Sequence, residues 1–365
     1  PLLRRTVIDT HCTHRLFSFL FDFAMTTPFD PASLSMTEII RLQTVLSQEL
    51  TRRFERKAAL AFTDVVDSTR YFAQFGDEAG RRLQQLHLDL LEKSIDGAGR
   101  IVDTAGDGAF ISFPSAMAAV GAMVELQQLV SRENLNRPRE HQLSVRIGMH
   151  WGQVLTDGAQ VTGDAVNLCA RISASALPAQ IRLSGDMFAQ LAMGQRQRCR
   201  PLGHVPLRGV TRDVELLALQ WRDPARFPTH LVVHETGERI ALPALDTLCF
   251  GRGDTQQAHT THDVIVALPD PIASKQISRR HFELRSRPDG FILKALSSQY
   301  TEVDGTVLQS DQEVTLRPGS VVRLARVATL EFLSPAAEQE QSSDATVSAP
   351  TMNARVAGDT VYGRA

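Results

Sequence analysis

The sequence predicts an α+β domain with a split β-α-β-β-α-β order of elements, followed by an all-β sandwich. Two observations predict this fold class. Between residues 58 and 221, short apolar runs alternate with longer segments whose apolar residues recur every three or four positions. Between residues 229 and 333, no helical period persists, and short β-rich runs are separated by Asp-Gly and Pro-Gly turns.

The α+β region contains a series of predicted strands and helices. In chain order they are strand 58–64, helix 78–95, strands 100–103 and 109–113, helix 114–130, strand 143–150, helix 164–175 and strand 180–183. A tight turn, Ala105-Gly-Asp-Gly108, joins the second and third strands. The order from the first strand to the fourth is that of a ferredoxin-like split unit.

Changes of composition divide the chain into segments. They are a poorly ordered N-terminal segment (1–35), a lead helix (36–57), the α+β domain (58–221), a linker (222–228), the β-sandwich (229–333) and a disordered tail (334–365). The lead helix is predicted from its apolar period, the linker from its prolines, and the tail from its scarcity of large apolar side chains. The N-terminal segment is either a frayed terminus, which is the favoured alternative, or lies upstream of a native start at Met25 or Met36.

The composition excludes several classes of protein. The chain of 365 residues carries 39 basic and 41 acidic side chains, so it lacks the basic excess of a dedicated nucleic-acid-binding protein. No apolar run reaches the roughly 18 residues that a membrane-spanning helix needs, so we expect no membrane insertion. The four cysteines stand far apart without a CxxC pair, which favours a reducing cytoplasm over a disulfide framework.

Two aspartates are candidate metal ligands. Asp64 ends the first predicted strand, and Asp107 lies in the turn between the second and third strands. These segments are neighbours in a split sheet, so both carboxylates can face one point, although an Asp at a strand end is also a common turn residue. Oxygen ligands favour Mg²⁺ or Mn²⁺, and two such ions can hold an attacking and a leaving oxygen. Ser68 and Thr69 begin a helix whose N-terminal N–H groups can bind phosphates.

The helix predicted at 164–175 carries a polar pair. Asn167 and Arg171 are four residues apart and therefore project from one face of this helix. Two such donors could meet the charge that develops on a phosphate during a reaction. They could equally form the solvated face of an amphipathic helix.

Four stretches together resemble the catalytic domain of class III nucleotidyl cyclases. They are Phe62-Thr-Asp64-Val-Val-Asp-Ser-Thr69, Thr104-Ala-Gly-Asp107-Gly108 with Phe110, Arg146-Ile-Gly-Met-His150 with Gly152, and Gly163-Asp-Ala-Val-Asn167-Leu-Cys-Ala-Arg171. They occur in the family's order and spacing, over residues 55–220. The resemblance implies that Asp64 and Asp107 bind two Mg²⁺ or Mn²⁺ ions. It also implies that Asn167 and Arg171 stabilise the transition state.

The resemblance further implies a reaction and an assembly. In the family, a ribose 3′-oxygen attacks the α-phosphate of a nucleoside triphosphate, and pyrophosphate leaves. The site lies between the chains of a head-to-tail homodimer, in which one chain supplies the aspartates and the other the Asn and Arg. Arg208 matches a triphosphate-binding lysine near the end of the domain.

Two positions that recognise the base depart from the adenylate-forming pattern. Asp103 stands where adenylate cyclases of the family usually carry Lys, and Gln160 stands where they carry Asp or Thr. A carboxylate can accept hydrogen bonds from guanine N1 and N2, whereas Lys donates to adenine N1, so Asp103 favours GTP. Adenylate cyclases are the commoner bacterial members, which favours ATP. An adenylate cyclase is therefore the leading prediction, with a guanylate cyclase and a non-catalytic platform as alternatives.

Loops of the second domain resemble those of forkhead-associated (FHA) domains over residues 229–333. The matching stretches are Gly251-Arg252, Ser278-Arg-Arg-His281 and Ser297-Ser-Gln-Tyr-Thr-Glu-Val-Asp-Gly305. The family binds phosphothreonine, and Arg and hydroxyl donors suit a dianionic phosphate. The phosphopeptide-binding residues that the resemblance implies are Arg252, Ser278, Arg279, Ser298 and Gln299. Gly251 and His281 match positions that shape the loops.

One loop departs from the FHA pattern, because Gln299-Tyr300 stands where Asn-Gly is usual. An unchanged turn would force Tyr300 into a positive φ, which bulky residues rarely adopt. A sandwich without a ligand is the alternative. The predicted partner is a phosphothreonine-containing protein or the chain's own tail, phosphorylated at Thr346, Thr351 or Thr360.

Overall fold

The computed structural model describes residue 32 and residues 34–252 and 263–334. The predicted N-terminal segment and tail lie almost wholly outside the described residues, as do Met25 and the three tail threonines. Two units are described separately, one ending at Glu55 and one beginning at Arg56. In the described part of the chain, no helix is both long enough and apolar enough to span a membrane.

The first unit contains helix α1 (Met36–Phe54). A capping box begins it: the N–H of Glu38 donates to the Ser35 hydroxyl at 3.4 Å, and the N–H of Ser35 donates to the Glu38 carboxylate at 2.8 Å. No residue of α1 is buried. The predicted apolar stripe is about half exposed at Ile39, Leu46 and Leu50.

The second unit begins with a sheet and its helices. The strands are β1 (Glu55–Val65), β2 (Arg100–Ala105), β3 (Gly108–Phe113), β4 (Val145–Thr156), β5 (Val161–Thr162), β6 (Ile181–Ser184), β7 (Cys199–Val205) and β8 (Val214–Leu219). The helices are α2 (Ser68–Ile95), α3 (Ala116–Asn134), α4 (Asp164–Ser175), α5 (Gly185–Ala189) and α6 (Met193–Arg196), with a 3-10 turn at Arg139–His141. The strand order is β2-β3-β1-β4-β6-β8-β7, and β5 pairs with β4.

Strand β1 is buried on both faces, which explains its continuous apolar run. Ala59 and Ala61 belong to the large core that the sheet shares with α2 and α3. Ala58 and Leu60 belong to a smaller core that includes Cys169 of α4. Successive residues of a strand point to opposite faces, so β1 places helices α2 and α3 on one side of the sheet and α4 on the other.

Two predicted boundaries are wrong. β1 begins at Glu55, whose backbone is already extended, so the lead helix ends before the predicted residue 57. Helix α2 begins at Ser68, where the sequence predicts a helix start at Ser68 and Thr69, whereas the apolar period predicts a helix only from residue 78. Gly76 interrupts the regular backbone of α2 with a φ of 84°, and the apolar period breaks there, so the pattern revealed only the second part.

The rest of the second unit consists of two sheets around one core. The strands are β9 (His230–Val233), β10 (Glu238–Ala241), β11 (Thr247–Gly251), β12 (Val264–Ile265), β13 (Phe282–Arg287), β14 (Gly290–Ala295), β15 (Thr301–Val303), β16 (Thr306–Leu308), β17 (Glu313–Leu316), β18 (Val321–Leu324) and β19 (Ala328–Leu333). The sheets have the orders β10-β9-β19-β18-β15-β16 and β12-β11-β13-β14-β17. Phe250 stacks on Phe282 at 4.4 Å, and Phe332 of the other sheet lies 6.0 Å from Phe250.

A short helix, α7 (Pro271–Gln276), lies where only strands and turns were predicted. Asp270 caps it by accepting the N–H of Ile272 at 2.8 Å, and Pro271 occupies its first turn, where no N–H is needed. The segment is too short to show a helical period in the sequence.

A buried carboxylate joins the two parts of the second unit. Asp246, directly before β11, accepts hydrogen bonds from Ser131 Oγ at 2.6 Å and Asn134 Nδ2 at 2.7 Å, both on α3. Arg222 Nη2 donates to the same carboxylate at 2.7 Å, and both charged side chains are close to nine-tenths buried. Burial lowers the pKa of Arg222, and the charge of Asp246 opposes that shift.

Candidate functional site

The two predicted metal-binding aspartates lie on adjacent segments of the sheet. Asp64 of β1 is paired with Gly108 of β3, and the N–H of Val65 donates to the Asp107 carbonyl at 3.3 Å. Burial raises the pKa of Asp64, Arg146 opposes that rise, and the negative charge of Asp107 adds to it. The two carboxylates repel one another. A divalent cation bound to their oxygens would neutralise their negative charges.

Ser68 and Arg146 hold these carboxylates in place. The Ser68 hydroxyl, at the start of α2, donates to Asp107 Oδ2. Arg146 Nε donates to Asp64 Oδ2 at 2.6 Å, and Nη2 lies 2.5 Å from the same oxygen. The sequence assigned Ser68 and Thr69 to the triphosphate; the structure shows Ser68 bonded to an aspartate, while Thr69 is exposed. Arg146 was not predicted, although its place at the start of an apolar strand was the available signal.

A cavity of about 340 Å³ opens beside Asp64. Asp103 and Arg146 are among its lining residues, so the structure places one of the two predicted base-recognising residues beside Asp64. Gln160 is exposed elsewhere, in a turn where its N–H donates to Asp157 Oδ1 at 2.8 Å.

Helix α4 carries the predicted catalytic pair on a different surface. Asn167 and Arg171 are exposed and line a second cavity, of about 1090 Å³, together with Lys57 and Gly209. Arg208 directly precedes Gly209 and is exposed. Other residues of α4 line the first cavity. Within one chain, α4 therefore separates the aspartates from the Asn–Arg pair.

The residues beside Asp64 fit a divalent cation that is shared with a substrate. Within the described ranges, no cluster of three or more His, Cys, Asp or Glu side chains could hold a metal by itself. Asp64 and Asp107 would supply two carboxylates, and substrate phosphate oxygens would complete the coordination, which is the common arrangement for Mg²⁺.

His87 is a buried histidine of α2 near the same aspartates. Its side chain is 1% exposed, and Nε2 has no hydrogen-bond partner among the described residues. Burial lowers the pKa of His87 to about 4, and the charge of Asp107 partly opposes this. The folded chain therefore keeps His87 neutral at pH values at which the unfolded chain protonates it.

Replacing His87 with Leu should reduce the acid sensitivity of the fold. Between pH 6.5 and pH 4 the unfolded chain binds a proton that the folded chain does not, so the free energy of unfolding falls as the pH falls. We expect His87 to account for a loss of about 3 kcal/mol between pH 7 and pH 4. Urea unfolding of the wild type and His87→Leu across this range measures the difference. Parallel pH profiles would contradict the prediction.

The predicted phosphopeptide site is built from loops at the ends of β11, β13 and β14. Arg252 follows β11; its backbone N–H donates to the Ser278 carbonyl at 3.1 Å, and its buried Nε has no partner in the described ranges. Ser278 Oγ lies 2.6 Å from Ser297 Oγ. Ser278 thus forms its hydrogen bond with Ser297, which directly precedes Ser298, the residue predicted to bind a phosphopeptide. Arg279, Ser298 and Gln299 are exposed on the same loops.

Gly251 and His281 shape these loops. A Cβ at Gly251 would lie 1.7 Å from the Arg279 carbonyl oxygen, so only glycine fits. His281 is fully buried and accepts the N–H of Ser278 at Nδ1, at 3.2 Å. Nε2 therefore carries the proton and donates to Thr301 Oγ1 at 3.1 Å. Burial lowers the pKa of His281 and keeps the ring neutral.

The Tyr300 turn differs from the one that an unchanged FHA loop would need. Tyr300 is not among the described residues with positive φ, whereas Ala325 and Arg326 are. Its hydroxyl donates to Glu302, and the Arg326 guanidinium lies 4.6 Å from the centre of its ring. The loop thus accommodates the bulky residue with an ordinary backbone and a packed side chain.

Two protein-family models match the chain. The adenylate and guanylate cyclase catalytic domain matches residues 52–220, and the FHA domain matches residues 248–325. The chain therefore contains a catalytic domain of the adenylate and guanylate cyclase family, followed by an FHA domain. Both resemblances are confirmed, and with them the prediction of an enzyme domain of the cyclase class.

Similar proteins include several adenylate cyclases. "Putative adenylate cyclase 3" of Rhizobium meliloti is 26% identical over 230 residues, which are 61% of this chain and 39% of the relative. "Adenylate cyclase" of Podospora anserina is 31% identical over 165 residues, which are 39% of this chain and 7% of the relative. The chain thus spans less than half the length of these relatives. A solved adenylate cyclase from Trypanosoma brucei in its monomeric state is 24% identical, covers 45% of this chain and 90% of its own, and gives a TM-score of 0.41.

Proposed function

We propose that this protein is an adenylate cyclase that converts ATP to cyclic AMP and pyrophosphate between the two chains of a homodimer. One observation carries the proposal. Asp64 lines one cavity and the Asn167–Arg171 pair lines another, on either side of α4, and Asp107 lies close enough to Asp64 to raise its pKa. A site that contains all four residues therefore needs two chains. The similarity to proteins named adenylate cyclases supports ATP as the substrate.

Each residue has a role in this reaction. Two Mg²⁺ or Mn²⁺ ions at Asp64 and Asp107 would lower the pKa of the ribose 3′-hydroxyl and hold phosphate oxygens. Arg146 lowers the pKa of Asp64 and so opposes the effect of burial, and Ser68 orients Asp107. From the second chain, Asn167 and Arg171 donate hydrogen bonds to the α-phosphate as charge develops, and Arg208 binds the triphosphate.

We also propose the division of the chain. The cyclase domain covers residues 58–221 and is built on a ferredoxin-like split unit, as the element order β1-α2-β2-β3-α3-β4 supports. Residues 222–228 are the linker, and residues 229–333 form the FHA β-sandwich, which the shared core of the two sheets supports. The FHA domain binds a phosphothreonine-containing protein in the cytoplasm and regulates or localises the cyclase.

The test of the cyclase proposal is a turnover assay on the purified chain. The protein is incubated with Mn²⁺ and either ATP or GTP, and pyrophosphate and cyclic nucleotide are both measured. We expect cyclic AMP from ATP. A confirmed dimer that forms neither product would overturn the proposal in favour of a non-catalytic platform.

GTP is a second candidate substrate, because Asp103 is exposed and lines the Asp64 cavity. A carboxylate there can accept hydrogen bonds from guanine but not from unprotonated adenine N1.

Replacing the two base-recognising residues, Asp103→Lys with Gln160→Asp, should raise kcat/KM for ATP relative to GTP about 10- to 100-fold. The new Lys donates to adenine N1, and a good base contact contributes about 1–3 kcal/mol. Competition assays with both nucleotides measure the ratio. An unchanged ratio would show that Asp103 does not contact the base. Turnover that appears only in the double variant would identify the native chain as a platform.

Arg252→Ala should weaken binding of a phosphothreonine peptide about 10- to 100-fold, because it removes a charge-assisted hydrogen bond to the phosphate. The measurement is fluorescence anisotropy with a degenerate pool of phosphothreonine peptides, and the unphosphorylated pool gives the background. Arg280→Ala is the matched control, since this nearby arginine lies 3.9 Å from Glu283. Equal weakening by both variants would contradict a specific role for Arg252.

A further inference from the structure

The short turn Arg139–His141 contacts both domains through neighbouring side chains. Arg139 Nη2 lies 2.5 Å from Asp263 Oδ2 in the FHA domain. His141 Nδ1 lies 2.9 Å from the hydroxyl of Tyr71, which belongs to α2 of the cyclase domain. The ion pair is partly buried, so solvent screens it less than a surface pair. One turn therefore links an FHA carboxylate to the helix that follows Asp64.

On the FHA side, Asp263 is tied to strand β11. Its carboxylate accepts the N–H of Cys249 at 2.8 Å, and its own N–H donates to the Cys249 carbonyl at 3.1 Å. Further along the chain, the N–H of Val266 donates to the Gly251 carbonyl at 3.0 Å. Arg252 is the next residue after Gly251. A displacement of Arg252 towards a phosphate therefore acts on Asp263 through hydrogen bonds of one strand.

On the cyclase side, the turn reaches the aspartate pair by two routes. Tyr71 lies in the first turn of α2, and Ser68 in that same turn donates to Asp107. The chain that follows His141 leads to Ser144, whose carbonyl accepts the N–H of Val66 at 2.9 Å. Ser144 stands just before β4, and the second residue of β4, Arg146, pairs with Asp64.

We propose that the Arg139–His141 turn transmits phosphopeptide binding at the FHA loops to the Asp64–Asp107 pair, so that the phosphopeptide is an effector of the cyclase. This inference rests on the proposed function of both domains. Binding moves Arg252 and the end of β11, Asp263 moves with that strand, and Arg139 carries the change to the segments that hold the aspartates. Such coupling is reciprocal, so a ligand at the aspartate pair also changes the affinity for the phosphopeptide.

Hydrogen exchange of the full chain tests this coupling without a metal. Amide exchange is followed with and without a degenerate pool of phosphothreonine peptides, and the unphosphorylated pool is the reference. In the wild type we expect slower exchange at 278–283, where the peptide binds, and a change of about fivefold at 66–75. In Asp263→Asn and in Arg139→Gln, the effect at 278–283 should remain, and the effect at 66–75 should disappear.

Arg137→Gln is the matched control. It removes the same charge from the same loop, but Arg137 pairs with Glu133 of the cyclase domain at 3.0 Å, so this variant should behave as the wild type. A second readout is turnover of ATP with Mn²⁺, which the peptide pool should alter in the wild type and Arg137→Gln but not in Asp263→Asn.

Three results would overturn the inference. Protection at 278–283 without any change at 66–75 in the wild type would refute the coupling and leave the proposed function intact. A change at 66–75 that persists in both Asp263→Asn and Arg139→Gln would refute the route through the turn. Absence of protection at 278–283 with the phosphorylated pool would refute phosphopeptide binding itself, and the inference with it.

Discussion

Mixing equal amounts of two inactive variants, Asp107→Asn and Arg171→Ala, should restore about a quarter of the wild-type turnover. Alone, Arg171→Ala should lose about 10²–10³ in kcat, because it removes the donor that we propose for the developing charge. Asp107→Asn should lose at least as much, since it removes the carboxylate that lies beside Asp64. If chains exchange at random, half of the dimers contain one chain of each kind, and each of these has one intact site.

The geometry that leads to this expectation is the position of α4 between the two cavities. The variant Asp107→Asn still presents an intact Asn–Arg surface, and Arg171→Ala still presents an intact aspartate pair. Pyrophosphate release after co-incubation measures the recovery.

The control for this experiment is a mixture of Asp107→Asn with Asp64→Asn. Both changes affect the same half of the site, so no combination of these chains contains an intact site, and turnover should stay at background. Recovery in the control mixture, or none in the first mixture despite dimer formation, would contradict a site shared between chains.

Asp246→Ala should lower the free energy of unfolding by about 3–5 kcal/mol. The substitution leaves the Arg222 guanidinium buried without its carboxylate, and it removes the acceptor for Ser131 and Asn134. An uncompensated buried charge is among the most costly single changes in a protein. Urea unfolding followed by tryptophan fluorescence suits this measurement, because the Arg222 guanidinium lies 4.6 Å from the centre of the Trp221 ring.

Asp289→Ala is the matched control for the buried pair. Asp289 also pairs with an arginine, Arg226, at 3.5 Å, but its side chain is almost wholly exposed, so its loss should not be measurable. Equal effects of the two substitutions would show that burial of the Asp246–Arg222 pair contributes nothing to stability.

Much of the site could be predicted because its residues follow the local order of the chain. Asp64 ends a strand whose apolar run is continuous, and Asp107 lies in a Gly-Asp-Gly turn; adjacent strands then bring them together. Asn167 and Arg171 share one helix face simply because they are four residues apart. These relations need only a period or a turn, and both are visible in a sequence.

The contacts that the sequence did not reveal join residues far apart in the chain. Arg146 meets Asp64 only because β4 lies beside β1 in the sheet, and Asp246 meets Arg222 only because the two domains pack together. The hydrogen bond between Ser278 and Ser297 joins two loops that are far apart in the chain, and no spacing in the sequence predicts it. Helix and strand propensities and the spacing of residues in the sequence do not predict these side-chain contacts, because tertiary packing determines them.

The buried imidazole of His281 makes the shape of the Ser278 loop depend on a single proton. Burial lowers the pKa of this ring, and the neutral ring joins the Ser278 and Thr301 loops. Protonation at Nδ1 would remove the acceptor of the Ser278 N–H, because that nitrogen would then carry a proton of its own. The loop conformation therefore belongs to the neutral form of one side chain.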